Sequence, residues 1–314
     1  MRAVRGGKRI DLPDLDALET ALAGKCWAWI DVTEPSDATL AALTKALRLH
    51  PLVAVNVGER NQRAKVEQIG GVSHIVMFAL AFEGEARATE IDFVLAPNFL
   101  LSIHDADWDP HLAPQLRQDN MEHLIRGPDF LLYALCDWIV DGYFPVLDRL
   151  ADEIDQLQDD VVERASQWTL QRLFALKREL IALRRATSPA REIFNQLTNR
   201  DTALISPDHI VYFRDVYDHL IRVTDELDNY RELVSGTLDV YLSTVNNNLS
   251  LVMKRLTGVT VILAGIGAIA GIFGMSEAGT AFKGAEAGGF WLVALGTVVL
   301  AVVAAAVLRR IDWI

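Results

Sequence analysis

The sequence predicts an α+β cytoplasmic domain followed by a long stalk helix and two transmembrane helices. Three observations carry this reading. Residues 256–275 and 290–308 contain no Asp, Glu, Lys or Arg, and each run has close to the roughly 20 residues that cross a hydrocarbon core. Lys254 and Arg255 precede the first run and Arg309 and Arg310 follow the second, whereas Glu277, Lys283 and Glu286 lie in the loop between them. The positive-inside rule then places both termini in the cytoplasm and the loop outside, so the host is the inner (plasma) membrane. After Pro207 the chain has no proline, and its helical pattern runs into the first apolar span. A helix over 207–275 is about 100 Å long at 1.5 Å per residue. A rod of that length exceeds what one small domain can cover, which predicts packing against copies of itself.

The elements follow in order. Residues 1–130 read as a cytoplasmic α/β domain. The first 13 residues are short of apolar side chains, so no secretory signal is expected. Residues 26–32 are strand-like, 37–49 have helical apolar spacing, and 74–80 form the near-continuous apolar run of a buried strand. Residues 90–95 and 99–103 flank Pro97 and Asn98 as a hairpin. Residues 131–205 read as a helical hairpin. Asp148, Asp152, Asp155 and Asp159 recur at spacings of three and four, which puts them on one face. Lys177, Arg178, Arg184 and Arg185 make the next helix basic, and opposite charge suggests that the two pair. Residues 206–255 form the cytoplasmic part of the stalk. Ser206, Pro207 and Asp208 open it as a capping residue, a first-turn proline and a first-turn acid. Transmembrane helix 1 (256–275), an external loop (276–289), transmembrane helix 2 (290–308) and a basic cytoplasmic tail (309–314) complete the chain. Trp291 and Trp313 flank the second span as interfacial anchors; the other five tryptophans read as core.

Composition narrows the function. The 314 residues carry a formal net charge of −12, which argues against a nucleic-acid partner and suits either a protein that attracts cations or an ordinary soluble surface. Cys26 and Cys136 are the only cysteines and read as reduced core residues. The seven histidines read as ordinary surface or core residues. No Gly-rich phosphate loop and no nucleophile, base and orienter set is found, so neither an enzyme nor an organic cofactor is expected.

The stalk carries the chemistry. Asp218, Asp225, Glu232 and Asp239 repeat every seven residues, and Asp208 and Asp215 lie seven apart. Heptad spacing keeps residues on one seam of a supercoil. Such acid is either a solvated outer face or, in a symmetric assembly, a stack of carboxylate rings that concentrates cations at a pore mouth. Ser250, Met253, Leu256, Thr260, Ala264, Gly267 and Gly271 follow at steps of three and four, one face of small residues that suits close helix packing and a narrow pore lining alike. Glu277 and Glu286 either collect cations at the outer mouth or keep the loop soluble.

Several segments together resemble one family. FRDVYDHL at 213–220, SGTLDVYLS at 235–243 and VMKRLT at 252–257 match the stalk of the CorA family of divalent-cation channels, and IAGIFGMS at 269–276 sits where its signature lies. HPL at 50–52, QRAKVE at 62–67 and YFPVLD at 143–148 extend the resemblance into the soluble part. The resemblance implies a homopentamer with a cytoplasmic funnel, a pore lined by the long helix and a second span outside it. It implies Mg²⁺ as substrate and as regulatory ligand. Asp215 matches one ligand of the regulatory site, with Glu83 as its partner from the next subunit, and five copies of Asp239 would meet at the inner mouth. Gly274, Met275 and Ser276 occupy the selectivity signature, where the family has Gly-Met-Asn; serine lacks the reach and second polar group of the amide. Gly265 stands where the family often has a proline. The expected function is passive, potential-driven uptake of Mg²⁺, with Co²⁺ and Ni²⁺ as further substrates, gated by cytoplasmic Mg²⁺. The alternatives are a Zn²⁺ transporter resembling the ZntB branch and a non-conducting, membrane-anchored Mg²⁺ sensor.

Overall fold

The computed structural model describes every residue except 1, 6–7, 12–13, 25, 60–61, 83–84, 117–125, 200–203, 276–287, 312 and 314. The chain divides into two compact units, Met1–Asp160 with Gln167–Thr237 and Val161–Ser166 with Leu238–Ile314.

The first unit is built on a seven-stranded sheet of strands β1 (Arg2–Arg5), β2 (Lys8–Asp11), β3 (Trp27–Thr33), β4 (Lys65–Ile69), β5 (Val72–Phe82), β6 (Ala86–Ala96) and β7 (Phe99–His104). Their order is β2-β1-β3-β7-β6-β5-β4. Only β3 and β7 pair in parallel, with Ala28 opposite Phe99 and Thr33 opposite His104. The expected hairpin at Pro97 and Asn98 is present, Ala96 pairing with Phe99. Gly70 and Gly71 turn β4 into β5 with both φ angles positive, the backbone that a two-residue hairpin loop requires and glycine adopts without strain. β7 is buried along its whole length, as a central strand covered on both faces must be.

Alternation sorts the side chains between two layers. Ala28, Ile30, Val94, Ala96, Leu101 and Ile103 form one core with helices α1 (Leu15–Ala23), α2 (Asp37–Ala46) and α3 (Pro51–Glu59). Asp14 caps α1 through the Ala17 N–H at 2.8 Å, and Ser36 caps α2 through the Thr39 N–H at 3.2 Å. On the opposite face Phe93 meets Trp108 edge to face, and Trp108 meets Trp138 of α4 (Pro128–Asp141). α4 is buried along most of its length, and an apolar window within Pro128–Arg164 is hydrophobic enough to cross a membrane. That window is 61% buried inside the protein, so α4 is a core helix.

Gly142 separates α4 from α5 (Tyr143–Arg164), where the pattern had suggested one helix. Asp148, Asp152, Asp155 and Asp159 lie exposed on α5, while Leu147, Leu150, Ile154 and Leu157 are buried. α6 (Gln167–Asn199) runs through Pro189. Its link to α5 is Arg172, which donates to Glu153 and, at 2.9 Å, to Glu179. Arg184, also on α6, donates to Asp228 at 2.6 Å. Trp168 is 63% exposed, against the expectation of a core position. Cys26 and Cys136 are free and buried.

A short 3₁₀ turn, Pro207–His209, leads into α7 (Ile210–Met275), 66 residues without a break, including Gly265. Ser206 supplies no side-chain cap; its N–H donates to Asp129 at 2.9 Å, and the same carboxylate oxygen holds His209 at 2.7 Å. Phe213, Val216, Leu220, Val223 and Leu227 are buried in the first unit. In the second unit α7 and α8 (Gly288–Arg310) enclose an apolar groove of about 600 Å³. The apolar windows of these two helices are 6% and 0% buried, so the single chain leaves both uncovered, as helices bathed in lipid or in partner chains are.

Candidate metal centre

Helix periodicity places Tyr133, Asp137 and Asp141 four apart on one stripe of α4, and Asp215 and His219 four apart on α7. The fold brings the two stripes together. Asp137, Asp141 and His219 each offer a ligand atom, all within 4.8 Å of one another. His219 Nδ1 is 3.9 Å from Asp141 Oδ1, beyond hydrogen-bonding reach, and is buried without a partner. Its ring stands edge-on to Phe144 at 5.8 Å.

The electrostatics are those of an acid cluster short of counter-charge. Burial pushes the Asp137 carboxyl up to about 6; Asp141 and Asp215 add to the rise, while His219 and a hydrogen bond from Tyr133 oppose it. Burial also raises the Tyr133 phenol, and the charges of Asp137 and Asp215 raise it further. Among the described residues no Lys or Arg pairs with Asp137, Asp141 or Asp215. A divalent cation relieves this repulsion. Carboxylate oxygens suit Mg²⁺, which keeps several of its waters, and the imidazole adds affinity for Co²⁺, Ni²⁺ and Zn²⁺.

Of the residues singled out in the sequence, Asp215 lies at this cluster and is exposed. Its expected partner Glu83 lies outside the described residues, as do Ser276, Glu277 and Glu286. Asp137, Asp141 and His219 were not singled out, and His219 had been taken as ordinary. The signal was present as two i, i+4 pairs, Asp137 with Asp141 and Asp215 with His219. Of the other described histidines, His74 faces Asp92 at 2.6 Å, His104 and His111 face Asp31 at 3.2 and 3.3 Å, and His209 faces Asp129.

Further along α7, Asp218, Asp225, Glu232 and Asp239 are exposed. The whole stripe Ser250, Met253, Leu256, Thr260, Ala264, Gly267 and Gly271 is exposed as well. The Thr260 hydroxyl donates to its own helix at the Leu256 carbonyl, 2.7 Å away. Ile266, Ala270 and Gly274 turn toward α8 and line the apolar groove. Gly274 of the signature thus faces α8, and α7 ends at Met275.

A family model described as "CorA-like Mg2+ transporter protein" matches residues 24–310. The chain belongs to the CorA family. The cobalt/magnesium transport protein CorA of Thermotoga maritima is 37% identical over 233 residues, 73% of this chain and 66% of that protein, so the match spans just under two thirds of the relative. The complete structure of the CorA magnesium transporter from Methanocaldococcus jannaschii superposes with a TM-score of 0.74 at 25% identity, covering 91% of each chain. A full-length CmaX structure superposes with a TM-score of 0.75 over 99% of this chain at 20% identity, a likeness of fold alone. The mixed sheet, long helix and two uncovered apolar helices therefore make up a CorA fold with membrane-spanning helices.

Proposed function

We propose that the protein is a homopentameric divalent-cation channel of the inner (plasma) membrane, with both termini cytoplasmic, which admits Mg²⁺ passively and closes when cytoplasmic Mg²⁺ fills the Asp137–Asp141–His219 cluster beside Asp215. Transport is supported by the family match, which runs from the soluble unit through both apolar helices. The observation that carries the gating is one of continuity. Asp215 and His219 stand on the same unbroken helix as the stripe from Ser250 to Gly271. A cation that binds better in one arrangement of α4 and α7 shifts the population of stalk positions, and a continuous helix transmits that shift to the membrane span.

The driving force needs no hydrolysis. Two charges moving into a negative interior gain about 4.6 kcal/mol per 100 mV. Mg²⁺ gives up water reluctantly, so a pore of small residues, hydroxyls and backbone carbonyls recognises the hydrated ion. The exposed acids of α7, Asp239 nearest the membrane span, raise the local cation concentration as rings when five copies assemble. Glu83 contributes to the regulatory site from a neighbouring chain. Ser276 stands at the outer mouth, with Glu277 and Glu286 in the adjoining loop.

The deciding experiment is Mg²⁺ entry into proteoliposomes holding the full chain, read by a trapped dye, beside the Ser276→Asn variant and empty vesicles. The expected result is potential-dependent entry in the wild type, inhibited by Mg²⁺ on the side of the soluble unit, with that inhibition weakened by Asp137→Asn and His219→Ala. Entry only in Ser276→Asn would make the protein a non-conducting cation sensor. The imidazole in the cluster calls for Co²⁺ and Zn²⁺ in the same assay.

A further inference from the structure

In a chain of net charge −12, four arginines converge on one cavity of the soluble unit. Arg63 precedes β4, Arg184 and Arg185 lie on α6, and Arg231 lies on α7; together they line a concavity of about 490 Å³. We propose that this cavity binds a soluble polyphosphate anion of the nucleoside triphosphate class.

Three features argue for a built site over a chance group of solvated side chains. The first is positioning. Asp228 accepts from Arg184 Nε at 2.6 Å, from Arg184 Nη2 at 3.1 Å and from Arg231 Nη1 at 2.9 Å. One carboxylate thus orients two guanidiniums, and each keeps unused N–H groups, since a guanidinium has five. The second is excess charge. Arg63 and Arg185 take part in no ion pair among the described residues, so four cations share one carboxylate. Arg63 and Arg185 are exposed, so their guanidiniums are accessible to an anion from solution, which a local excess of positive charge attracts. The third is the remaining wall. Ile181 and Pro189 add apolar surface to the lining, and Ser188 adds a hydroxyl-bearing side chain.

The class of ligand follows from charge and size. A surplus of three positive charges matches a triphosphate better than a single phosphate, and planar guanidiniums meet phosphate oxygens in paired hydrogen bonds. The volume suits a ligand larger than the phosphates alone, and the Ile181 and Pro189 wall can cover the face of a base. Arg231 precedes the apolar span at Leu256 by about 25 residues, which favours an anion taken from solution over a lipid headgroup. The inference does not depend on conduction and stands or falls separately from it.

The test is calorimetric titration of the full chain in detergent, in EDTA at moderate salt, with ATP and separately with inorganic tripolyphosphate. Arg63→Gln/Arg185→Gln removes the two arginines that hold no structural pair, and Arg63→Lys/Arg185→Lys keeps their charge. We expect saturable binding of ATP at one site per chain, weakened at least tenfold in the glutamine variant and partly restored in the lysine variant. Tripolyphosphate binding as well as ATP assigns recognition to the phosphate chain; weaker binding adds a contribution from the nucleoside. Absence of saturable binding of both anions at millimolar concentration overturns the proposal. So does binding unchanged by the glutamine variant, or displacement of ATP by oligoglutamate of equal charge at equal concentration, which would make the cavity an acidic-peptide site.

Discussion

Asp137 is a carboxyl held among carboxyls, and burial leaves it only weakly acidic near neutral pH. Its folded value of about 6 lies above the 3.8 of a free carboxyl. Its contribution to stability is therefore complete below about pH 3.8 and is lost as pH rises through 6. At pH 7 the ionised cluster is unfavourable until a cation fills it. Mg²⁺ should accordingly raise the melting temperature of the full chain more at pH 7 than at pH 5. Its apparent affinity should fall roughly tenfold over the same interval, because the proton and the cation compete for one oxygen. Equal affinity at both pH values would remove Asp137 from the site. Asp31 shows the opposite pattern. Burial opposes its charge, but hydrogen bonds from His104, His111 and Ser102 prevail and hold the carboxyl below the usual range. Its stabilisation is present above pH 3.8 and lost as pH falls through the lower folded value. Burial likewise opposes charge on His104, yet Asp31 raises its affinity for a proton. That stabilisation is present below pH 6.5 and lost as pH rises through the raised value. Asp31→Asn should cost roughly 3 kcal/mol, as loss of one partner from a buried pair does, and lower the melting temperature by several degrees.

At the scale of elements, α7 decides how the protein works, because one helix presents both the cation cluster and the membrane stripe. The coupling is rotational as well as axial. An alanine inserted after Asn248 turns every later residue by about 100° relative to those before it. It should abolish flux while leaving Mg²⁺ binding at Asp137 and His219 intact, as followed by the melting temperature. Insertion of a full heptad returns the stripe nearly to its original side and should restore part of the flux. If the single insertion conducts as the wild type does, the stripe from Ser250 to Gly271 does not line the pore. α4 makes a different point about elements. Its apolar composition alone permits a membrane span, and only the sheet packed against it shows that it is a core helix.

For the whole molecule, symmetry does what a single chain cannot. Asp239 and the stripe below it are exposed in one chain, and a lone helix encloses nothing. The detergent-solubilised protein should have a mass five times its 34.8 kDa chain, measured by light scattering with the detergent subtracted. Asp239→Asn should lower Mg²⁺ flux several-fold at low ionic strength and much less at high salt, because a ring of exposed charge acts through a field that salt screens. Equal flux at low salt would show that the heptad acids are solvated surface.

Much of this protein is local enough to be written in its sequence. An uncharged apolar run of about twenty residues with a basic pair at one end has the length and composition of a membrane span, and lipid offers its backbone no partner outside a helix. The absence of proline after Pro207 permits the long stalk, the apolar run at 74–80 marks β5, and the segments flanking Pro97 and Asn98 mark β6 and β7. The metal cluster was half legible: each i, i+4 pair follows from helical pitch, but that Asp137 and Asp141 face His219 depends on how α4 lies against α7. Asp31 with His104 and His111, and the arginines from three separate segments around Asp228, were closed to a reading along the chain for the same reason. Periodicity fixes which side chains share one helix or strand face, because backbone geometry repeats every few residues. Which faces meet is decided by packing between segments that can lie a hundred residues apart, and only the tertiary structure holds that information.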